Sequence, residues 1–484
     1  MSTPADPSTA TATTRPVRRR PLLAFVALVL IIAAAFAFAG SGSSPAPARA
    51  PALAAATMPP SDARSSAWYC VAGTANRGGT ADETLVVANV GDRPLRADVE
   101  VTTATATGAA TAPVRRRLDV AARGQARLRV GDVVATPNPG VVVETIGSPA
   151  IVEHEIRNGA QLAAGPCARH ASPGWYLPAG TTAKGALQTL ALFDPFGDDA
   201  IVDVTFLTDG GPLSPEDLQG LVVPRRSRVT VPVHDEVRRR TIVATMVQAR
   251  VGRVVAEQSL AFDGTAGRSG LTLALGSPTT ATDWFLPAGS FVRGPDTMTL
   301  MNPSDATASV TVEVVLDGAA NLSPQTVAVP DHSVTNVDLL ARVPANISFW
   351  VRLHADNPIV AGQLTSGGGG ATTVMPSALG ARRWWFAFGR VTDVSADSII
   401  VANPSSRAGS VRLDAVRGGT VTPVATARTV APGARTSFDL RAARVPTGAA
   451  LVVTAGTDVV AERVNLAAPA ITAALGVPDV PDAG

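Results

Sequence analysis

Three short sequence landmarks recur four times in the same order, at a spacing of about 100 residues, and this repetition limits what the chain can fold into. The first landmark is an aromatic opening that begins at Trp68, Trp175, Trp284 and, more loosely, Trp385. The second is an apolar run that ends at Asn89, Asp194, Asn302 and Asn403. The third is a late apolar run at 151–153, 254–257, 359–361 and 459–462. The repetition predicts four copies of one structural unit.

Apolar and polar residues alternate between the landmarks. In one such stretch the residues Thr311 and Glu313 are interleaved with Val310, Val312, Val314 and Leu316. A period of two is typical of a half-buried strand. The fold class predicted from short strands with frequent turns is all-β, as a tandem array of four immunoglobulin-like or fibronectin-like β-sandwiches. A β-propeller is the alternative, although its usual repeat is shorter, about 40 to 50 residues.

The landmarks and the composition together predict the domain boundaries. We assign a basic cytosolic arm to 1–20, a transmembrane helix to 21–40 and a Pro/Ala/Ser-rich linker to 41–66. The β-sandwich repeats are assigned to 67–172, 173–279, 280–380 and 381–478, and a tail to 479–484. The four repeats are called units 1 to 4 below.

The stretch 21–40 contains no charged residue. About twenty apolar residues in a helix span the roughly 30 Å hydrocarbon layer of a bilayer. Because Arg18, Arg19 and Arg20 directly precede this stretch, the positive-inside rule predicts a single-pass plasma-membrane protein with a cytosolic N-terminus and an extracytoplasmic bulk. The alternative is secretion after signal cleavage, since Ala48-Arg49-Ala50 resembles a cleavage site.

The net charge of +2 is small for a chain of this length. Four arginines lie in the first twenty residues, so the rest of the chain has close to no net charge. A nucleic-acid-binding domain is expected to carry a strong basic surface. We therefore predict no nucleic-acid partner.

The chain contains two cysteines, Cys70 and Cys167. They lie in the predicted opening strand of unit 1 and just beyond its last strand, and these ends of a sandwich can approach each other. The positions predict one disulfide in an oxidising compartment, with two free thiols as the alternative. The pair alone offers too few ligands for a metal site.

Candidate catalytic and metal-binding residues do not form a recognisable motif. The five histidines share no repeat position, and His154 is interpreted as a solvated side chain. Glu257 and Glu462 match each other in the third landmark, where His154 and Gly362 stand at the aligned position in units 1 and 3. We interpret the two glutamates as structural or surface groups. The prediction is therefore no enzyme, no cofactor and no metal ligand.

Tryptophan and arginine supply the remaining candidates for contact. The four landmark tryptophans are expected in the core, whereas Trp350 and Trp384 fall outside the register and are expected to be exposed or to cover a domain junction. Arg225, Arg226 and Arg228 form a candidate contact for a polyanion such as cell-wall polymer, because guanidinium groups suit anionic ligands. A solvated loop is the alternative for these arginines.

The Arg-flanked N-terminal segment, the Trp-aromatic-x-x-Ala-Gly openings and the turn Asn302-Pro303-Ser304-Asp305 resemble an uncharacterised family of membrane-anchored actinobacterial proteins with repeated extracytoplasmic domains. The resemblance implies a location in the cell envelope and brings no catalytic residues. We expect a non-enzymatic scaffold or interaction protein whose partner is cell-wall polymer or another membrane protein. The alternative is an accessory subunit of an envelope glycan-assembly glycosyltransferase.

Overall fold

The computed structural model describes residues 54–480 except 61, 77–78, 104–110, 290–291, 319–321 and 390–395. The described chain consists almost entirely of strands, which confirms the all-β prediction. The predicted arm and transmembrane helix at 1–40 lie outside the described residues. No helix among the residues that are described is long and apolar enough to cross a membrane.

Unit 1 contains two sheets with the strand orders β1-β6-β3-β4 and β5-β2-β7-β8. A short 3-10 helix at Val130–Asp132 follows β5. The strands are β1 (Ser65–Cys70), β2 (Asp82–Asn89), β3 (Leu95–Thr102), β4 (Val114–Val120), β5 (Gln125–Arg129), β6 (Gly140–Ile146), β7 (Ala150–Asn158) and β8 (Gln161–Pro166).

Unit 2 repeats this arrangement, with the orders β12-β11-β15-β9 and β14-β10-β16-β17 and with β13 beside β11. A short helix α1 (Val233–Glu236) follows β14, and 3-10 helices lie at Glu216–Leu218 and Thr265–Gly267. The strands are β9 (Gly174–Leu177), β10 (Ala186–Asp194), β11 (Ala200–Thr208), β12 (Gly211–Leu213), β13 (Leu221–Val223), β14 (Ser227–Val231), β15 (Val243–Val251), β16 (Val255–Asp263) and β17 (Ser269–Leu275).

Units 3 and 4 differ in one respect, because one long strand in each, β23 or β31, pairs in both sheets. Unit 3 comprises β18 (Ala281–Gly289), β19 (Asp296–Asn302), β20 (Ala308–Leu316), β21 (Gln325–Val329), β22 (Ser333–Asp338), β23 (Phe349–Gly367) and β24 (Gly370–Val374). Unit 4 comprises β25 (Ala381–Phe386), β26 (Ala396–Ala402), β27 (Gly409–Arg417), β28 (Thr420–Pro423), β29 (Arg428–Val430), β30 (Arg435–Asp439), β31 (Ala450–Ala467), β32 (Ala470–Leu475) and β33 (Val477–Pro478).

Alternation in the sequence becomes alternation in burial. In β11 the side chains of Val202, Val204 and Phe206 are buried, while Asp203 and Thr205 between them are partly exposed. Successive side chains of a strand point to opposite faces, so one face of the sheet packs into the unit and the other meets solvent.

A buried tryptophan occupies the opening strand of each unit, and in unit 4 it is Trp384, not Trp385. Trp384 pairs with Val453 as Trp284 pairs with Leu353. Its indole Nε1 donates to the Val459 carbonyl at 2.7 Å, as other opening tryptophans donate to the equivalent late-strand carbonyls. The landmark in unit 4 therefore begins at Trp384, one residue before the position that the sequence pattern predicts. The expectation that Trp384 is exposed is wrong, because it fills the core position that the landmark reserves.

Trp350 is also buried, at the junction between units 3 and 4. Its Nε1 donates to the Gly433 carbonyl at 2.9 Å, and the ring packs near Ala402. An exposed role for Trp350 is therefore wrong, and coverage of a domain junction is confirmed.

One strand from each unit lies at a common centre; these four are called the central strands below. β8 packs against β17, β17 against β24, β24 against β32, and β32 returns to β8. Small residues permit this approach: a Cβ added at Gly270 would lie 2.3 Å from the Ala371 nitrogen. The described units thus form a closed ring around these strands.

Hairpins close one end of the ring axis. Gln161 of unit 1 donates through Nε2 to the Gly369 carbonyl of unit 3 at 2.9 Å, which joins units on opposite sides of the axis. Ser269 of unit 2 donates to the same carbonyl at 2.6 Å. These two contacts join the hairpin ends of the central strands of units 1, 2 and 3.

Candidate functional site

The predicted disulfide is present. Cys70 and Cys167 are joined across 97 residues of sequence, with Cα atoms 4.7 Å apart, and both are buried. The disulfide lies beside an isolated β-bridge between Tyr69 and Ala168. Units 2 and 3 have an equivalent β-bridge, without a disulfide. It therefore adds a covalent link to a contact that recurs in the ring.

The predicted arginine cluster divides into two parts. Arg225 and Arg226 are exposed on the turn before β14. Arg228 is only 8% exposed, and its Nη1 donates to the carbonyls of Gly73 and Pro139 in unit 1, at 2.6 and 3.2 Å. The prediction that Arg228 contacts a polyanion is wrong, because β14 presses this side chain against the neighbouring unit. Burial lowers the pKa of Arg228 to about 10.

One position of the late strand contacts the preceding unit throughout the ring. Strand pairing places Glu153, Glu257, Gly362 and Glu462 at this position, opposite the third residue of the second landmark. The alignment by sequence had placed His154 here, one residue too far along. Because side chains alternate along a strand, that error exchanges the two faces of β7.

Carboxylates at this position accept hydrogen bonds from the opening segment of the neighbouring unit. Glu257 Oε2 accepts from the nitrogens of Val71 and Ala72 at 3.1 and 2.7 Å. Glu462 Oε2 accepts from Ala288 at 3.0 Å, and Glu153 Oε1 accepts from Ala387 at 2.6 Å. These contacts run from unit 2 to unit 1, from unit 4 to unit 3, and from unit 1 to unit 4. The glutamates are thus interface groups, as the structural interpretation expected.

A second position, on the strand next to the late strand, strengthens the same interfaces. It holds Gln125, Arg228 and Arg435 in units 1, 2 and 4, since each pairs with the fifth residue of the second landmark. Gln125 donates to the Ala387 carbonyl at 2.6 Å, and Arg435 donates to the Pro287 carbonyl at 2.8 Å. Each such unit therefore contacts its neighbour with an acceptor and a donor.

The interface of unit 3 with unit 2 is made differently. Gly362 takes the place of the glutamate, and a Cβ there would lie 2.8 Å from Pro178 Cγ and 2.9 Å from Ala179 Cβ. Val334 takes the place of the donor and packs in one cluster with Leu207 and Ala244 of unit 2. At these two positions the interface is held by close apolar packing.

His154 lies at the centre of the interface between units 1 and 2. The side chain is fully buried, with Nδ1 2.7 Å from Glu83 Oε1 and Nε2 3.0 Å from Glu257 Oε1. Burial lowers the pKa of His154, but the two carboxylates outweigh it and raise the pKa to about 10. The interpretation of His154 as solvated is wrong, because its partners come from β2 and from unit 2, which local sequence does not reveal.

The two disulfide sulfurs and a His154 ring nitrogen lie within 4.8 Å of one another, which is a spacing that metal ligands can have. In this structure the sulfurs are bonded to each other, so they are not thiolate ligands. The imidazole nitrogens already face Glu83 and Glu257. The arrangement is a buried polar cluster in this structure.

A pocket of about 110 Å³ lies on the ring axis at the end away from the hairpins. Equivalent residues of the central strands line it, so each unit supplies part of the wall; these are Ala164, Leu273, Thr373 and Ala473, followed by Pro166, Leu275, Met375 and Leu475. The described residues of the lining are mostly apolar, and none of them has an ionisable side chain. Such a wall suits an apolar group and not a charged substrate.

The segment 54–58, called the strap below, covers part of the pocket mouth. Its residues Ala54 to Ala56 line the pocket, and Ala55, Ala56 and Met58 are buried. The Ala55 carbonyl accepts from the Arg169 nitrogen at 2.9 Å, and the Met58 nitrogen donates to the Pro478 carbonyl at 2.9 Å. The strap therefore links unit 1 to the end of unit 4.

A family of unknown function, DUF5719, matches residues 146–383, in agreement with the predicted resemblance to an uncharacterised family. The comparison with curated proteins found no match. Among solved structures, the Anabaena sensory rhodopsin transducer is 20% identical over 18% of this chain and 83% of its own, with a TM-score of 0.17. Thermotoga maritima 1070 is 18% identical over 20% and 94%, with a TM-score of 0.19. The Streptomyces avermitilis α-L-rhamnosidase complexed with L-rhamnose is 12% identical over 72% and 47%, with a TM-score of 0.13.

Proposed function

We propose that the protein is a non-enzymatic scaffold of the bacterial cell envelope, in which four immunoglobulin-like or fibronectin-like sandwiches form a rigid ring outside the plasma membrane. One observation carries the proposal. Buried carboxyl groups of the late strands, together with Arg228 and Arg435, form hydrogen bonds with the backbone of the neighbouring unit. Groups that could serve chemistry are used to hold units together. A ring held in this way presents a fixed outer surface to partners.

The location rests on two features of the chain. The uncharged stretch 21–40 with its arginine flank supports a single-pass anchor with the ring outside the cell, and actinobacterial origin follows from the family resemblance. A buried disulfide supports an oxidising compartment. Immunoblots of membrane and medium fractions test the anchor. A shortened product in the medium would replace it with the secreted form.

The proposed partner is cell-wall polymer or another membrane protein, reached through exposed groups such as Arg225 and Arg226. Cross-linking in the native host, followed by mass spectrometry of the purified full chain, tests the function. Recovery with wall fragments or with a non-enzymatic membrane protein supports the scaffold. Stoichiometric recovery of a glycosyltransferase would instead support the accessory-subunit alternative, and recovery of the chain alone would contradict both.

Salt dependence gives a test of the arginine contact. Replacement of Arg225 and Arg226 with alanine should weaken binding to envelope polymer if these guanidinium groups contact anions, and the wild-type binding should fall with added salt. Arg116, an exposed arginine in unit 1, supplies the control as Arg116→Ala. Equal binding by the double variant and the control would remove this surface from the proposal.

A further inference from the structure

The strap covers only one side of the pocket mouth. Its two hydrogen bonds use rim positions that recur in the units, each directly after the residue that pairs with the opening strand. These rim positions are Arg169, Pro278, Ala378 and Pro478 in units 1 to 4. The strap takes the first and the last of them.

A rotation by half a turn around the ring relates the used rim to the unused one. It places Ala378 where Arg169 donates and Pro278 where Pro478 accepts. Ala378 has an N–H and Pro278 has a carbonyl, so the unused side keeps the same donor and acceptor. A quarter turn would not, because it would place a proline at the donor position.

Solvent reaches the unused side of the rim. Pro278 and Ala378 are partly exposed there, as Arg169 is on the used side, and Pro478 is buried. The serines that precede them bond within their own turns, from Ser277 Oγ to the Thr279 carbonyl and from Ser377 Oγ to the Leu379 carbonyl. Among the described residues the Ala378 N–H has no hydrogen-bond partner.

The wall next to this rim is apolar. Leu275 and Met375 line the pocket there and are partly exposed, and Pro376 lies beside them. The strap meets the opposite wall with alanine side chains, and its backbone bends at Ala55 and Ala56. Peptide segments are commonly bound through main-chain hydrogen bonds, with pockets for some of their side chains.

We propose that the unused half of the pocket mouth binds a short Ala/Pro-rich segment of a partner protein in the manner of the strap. The Ala378 N–H donates to one carbonyl of that segment, and the Pro278 carbonyl accepts from the nitrogen three residues later. Small side chains of the segment enter the pocket beside Leu275 and Met375. The inference deepens the proposed scaffold function by naming the chemistry of a partner.

A labelled synthetic peptide with the sequence of residues 54–60, Ala-Ala-Ala-Thr-Met-Pro-Pro, serves as the probe. Fluorescence anisotropy with the purified full chain in detergent should show saturable binding. Ala378→Pro removes the donor and should weaken binding about five- to tenfold, as expected for one main-chain hydrogen bond. Ala378→Gly keeps the N–H and should bind like the wild type. Proline suits the fold here, because the equivalent positions are Pro278 and Pro478.

A second probe carries an N-methyl group on its methionine and so lacks the donor for Pro278. It should bind as weakly to the wild type as the first peptide does to Ala378→Pro. Absence of saturable binding would overturn the inference. Equal affinity of the probe for the proline and glycine variants would also overturn it, and would mean that the probe displaces the strap instead. In either case cross-linking still tests the scaffold, because a partner bound to the outer surface does not need this pocket.

Discussion

Two positions of the repeat hold charged side chains at the interface of units 1 and 2, whereas the same two positions make apolar contacts at the interface of units 2 and 3. At the first, Glu257 and Arg228 bond to backbone groups, and His154 lies between two carboxylates. At the second, Gly362 and Val334 stand at these positions. The two interfaces are therefore not interchangeable at these positions. A buried carboxylate has a donor at one interface and would meet proline and alanine at the other.

The two kinds of contact are sensitive to different changes. A buried ion cluster is sensitive to loss of one partner, because the remaining charge is left uncompensated. Close apolar packing is sensitive to added volume, because a well-packed interior has no space to receive it. The predictions below use these two sensitivities.

The largest effect is expected for Glu257→Ala. It removes the acceptor of Val71 and Ala72 and leaves His154 with one carboxylate, so the interface should lose about 3–5 kcal/mol, the usual cost of breaking a buried pair. Amide hydrogen exchange at Val71 and Ala72 measures the loss. The amide of Ala179, at the apolar interface, is the internal control. Equal acceleration at all three amides would mean that the interfaces do not open separately.

Gly362→Ala should destabilise the apolar interface by about 1–3 kcal/mol, the range for overpacking. The added Cβ would lie within 3 Å of Pro178 and Ala179, both backbone-anchored, so the units must separate slightly. Gly197→Ala is the control, because no atom lies within 4 Å of its Cβ position. Exchange at Ala179 should rise in the first variant alone. No rise would show that the close approach of β23 to unit 2 is dispensable.

Among the interfaces between units, those with a buried titratable side chain should change in stability with pH. The pKa of His154 is raised to about 10, so its contribution is complete below about 6.5 and is lost as pH rises through 10. Burial raises the pKa of Glu462 to about 8, so its contribution is complete below about 4.5 and is lost as pH rises through 8. As pH rises above 6.5, the thermal unfolding midpoint should therefore fall less steeply for His154→Gln than for the wild type. The same should hold for Glu462→Gln between pH 4.5 and 8. Slopes unchanged from the wild type would contradict these assignments.

The smallest effect is expected inside unit 2, away from both interfaces. The turn residue is asparagine in the other units, and its amide donates to three carbonyls, as Asn302 does to Ala306, Val329 and Pro330. An ionised Asp194 cannot donate, and burial raises its pKa to about 6. Its contribution is complete below about 3.8 and is lost as pH rises through 6.

Asp194→Asn should therefore stabilise the protein by about 1 kcal/mol at pH 7, the usual value of a buried hydrogen bond. The gain should shrink below pH 6, where the carboxyl is protonated. Calorimetric unfolding at pH 7.5 and 4.5 measures both values. A gain of the same size at both pH values would show that the charge of Asp194 is not the cause.

Strand positions could be read from the sequence, because alternation is a local property and each strand carries its own pattern. The disulfide could also be predicted, since both cysteines fall at the ends of one unit. Register was harder. Trp384 and Trp385 are adjacent aromatic residues, as Glu153 and His154 are adjacent polar ones, and neighbouring residues of similar type do not distinguish two registers by pattern alone.

Burial of the charged residues could not be predicted, because their partners are distant. Glu153 accepts from the Ala387 nitrogen, 234 residues away, and from Arg463 Nη2, 310 residues away. Arg228 bonds to Gly73 at a separation of 155. In isolation a glutamate or arginine on a strand indicates a solvent face. Only the neighbouring unit converts that face into an interface.

The sequence by itself determined an all-β chain, the spacing of its landmarks and the cysteine pair, because hydrophobic alternation and turn residues act over a few positions. Other features depend on tertiary contacts. The central strands meet on one axis, and the strap lies across the pocket mouth. His154, Glu257 and Arg228 are buried between units 1 and 2. The physical reason is the same in each case. These contacts exist only when surfaces from different units pack, and each surface alone is compatible with solvent.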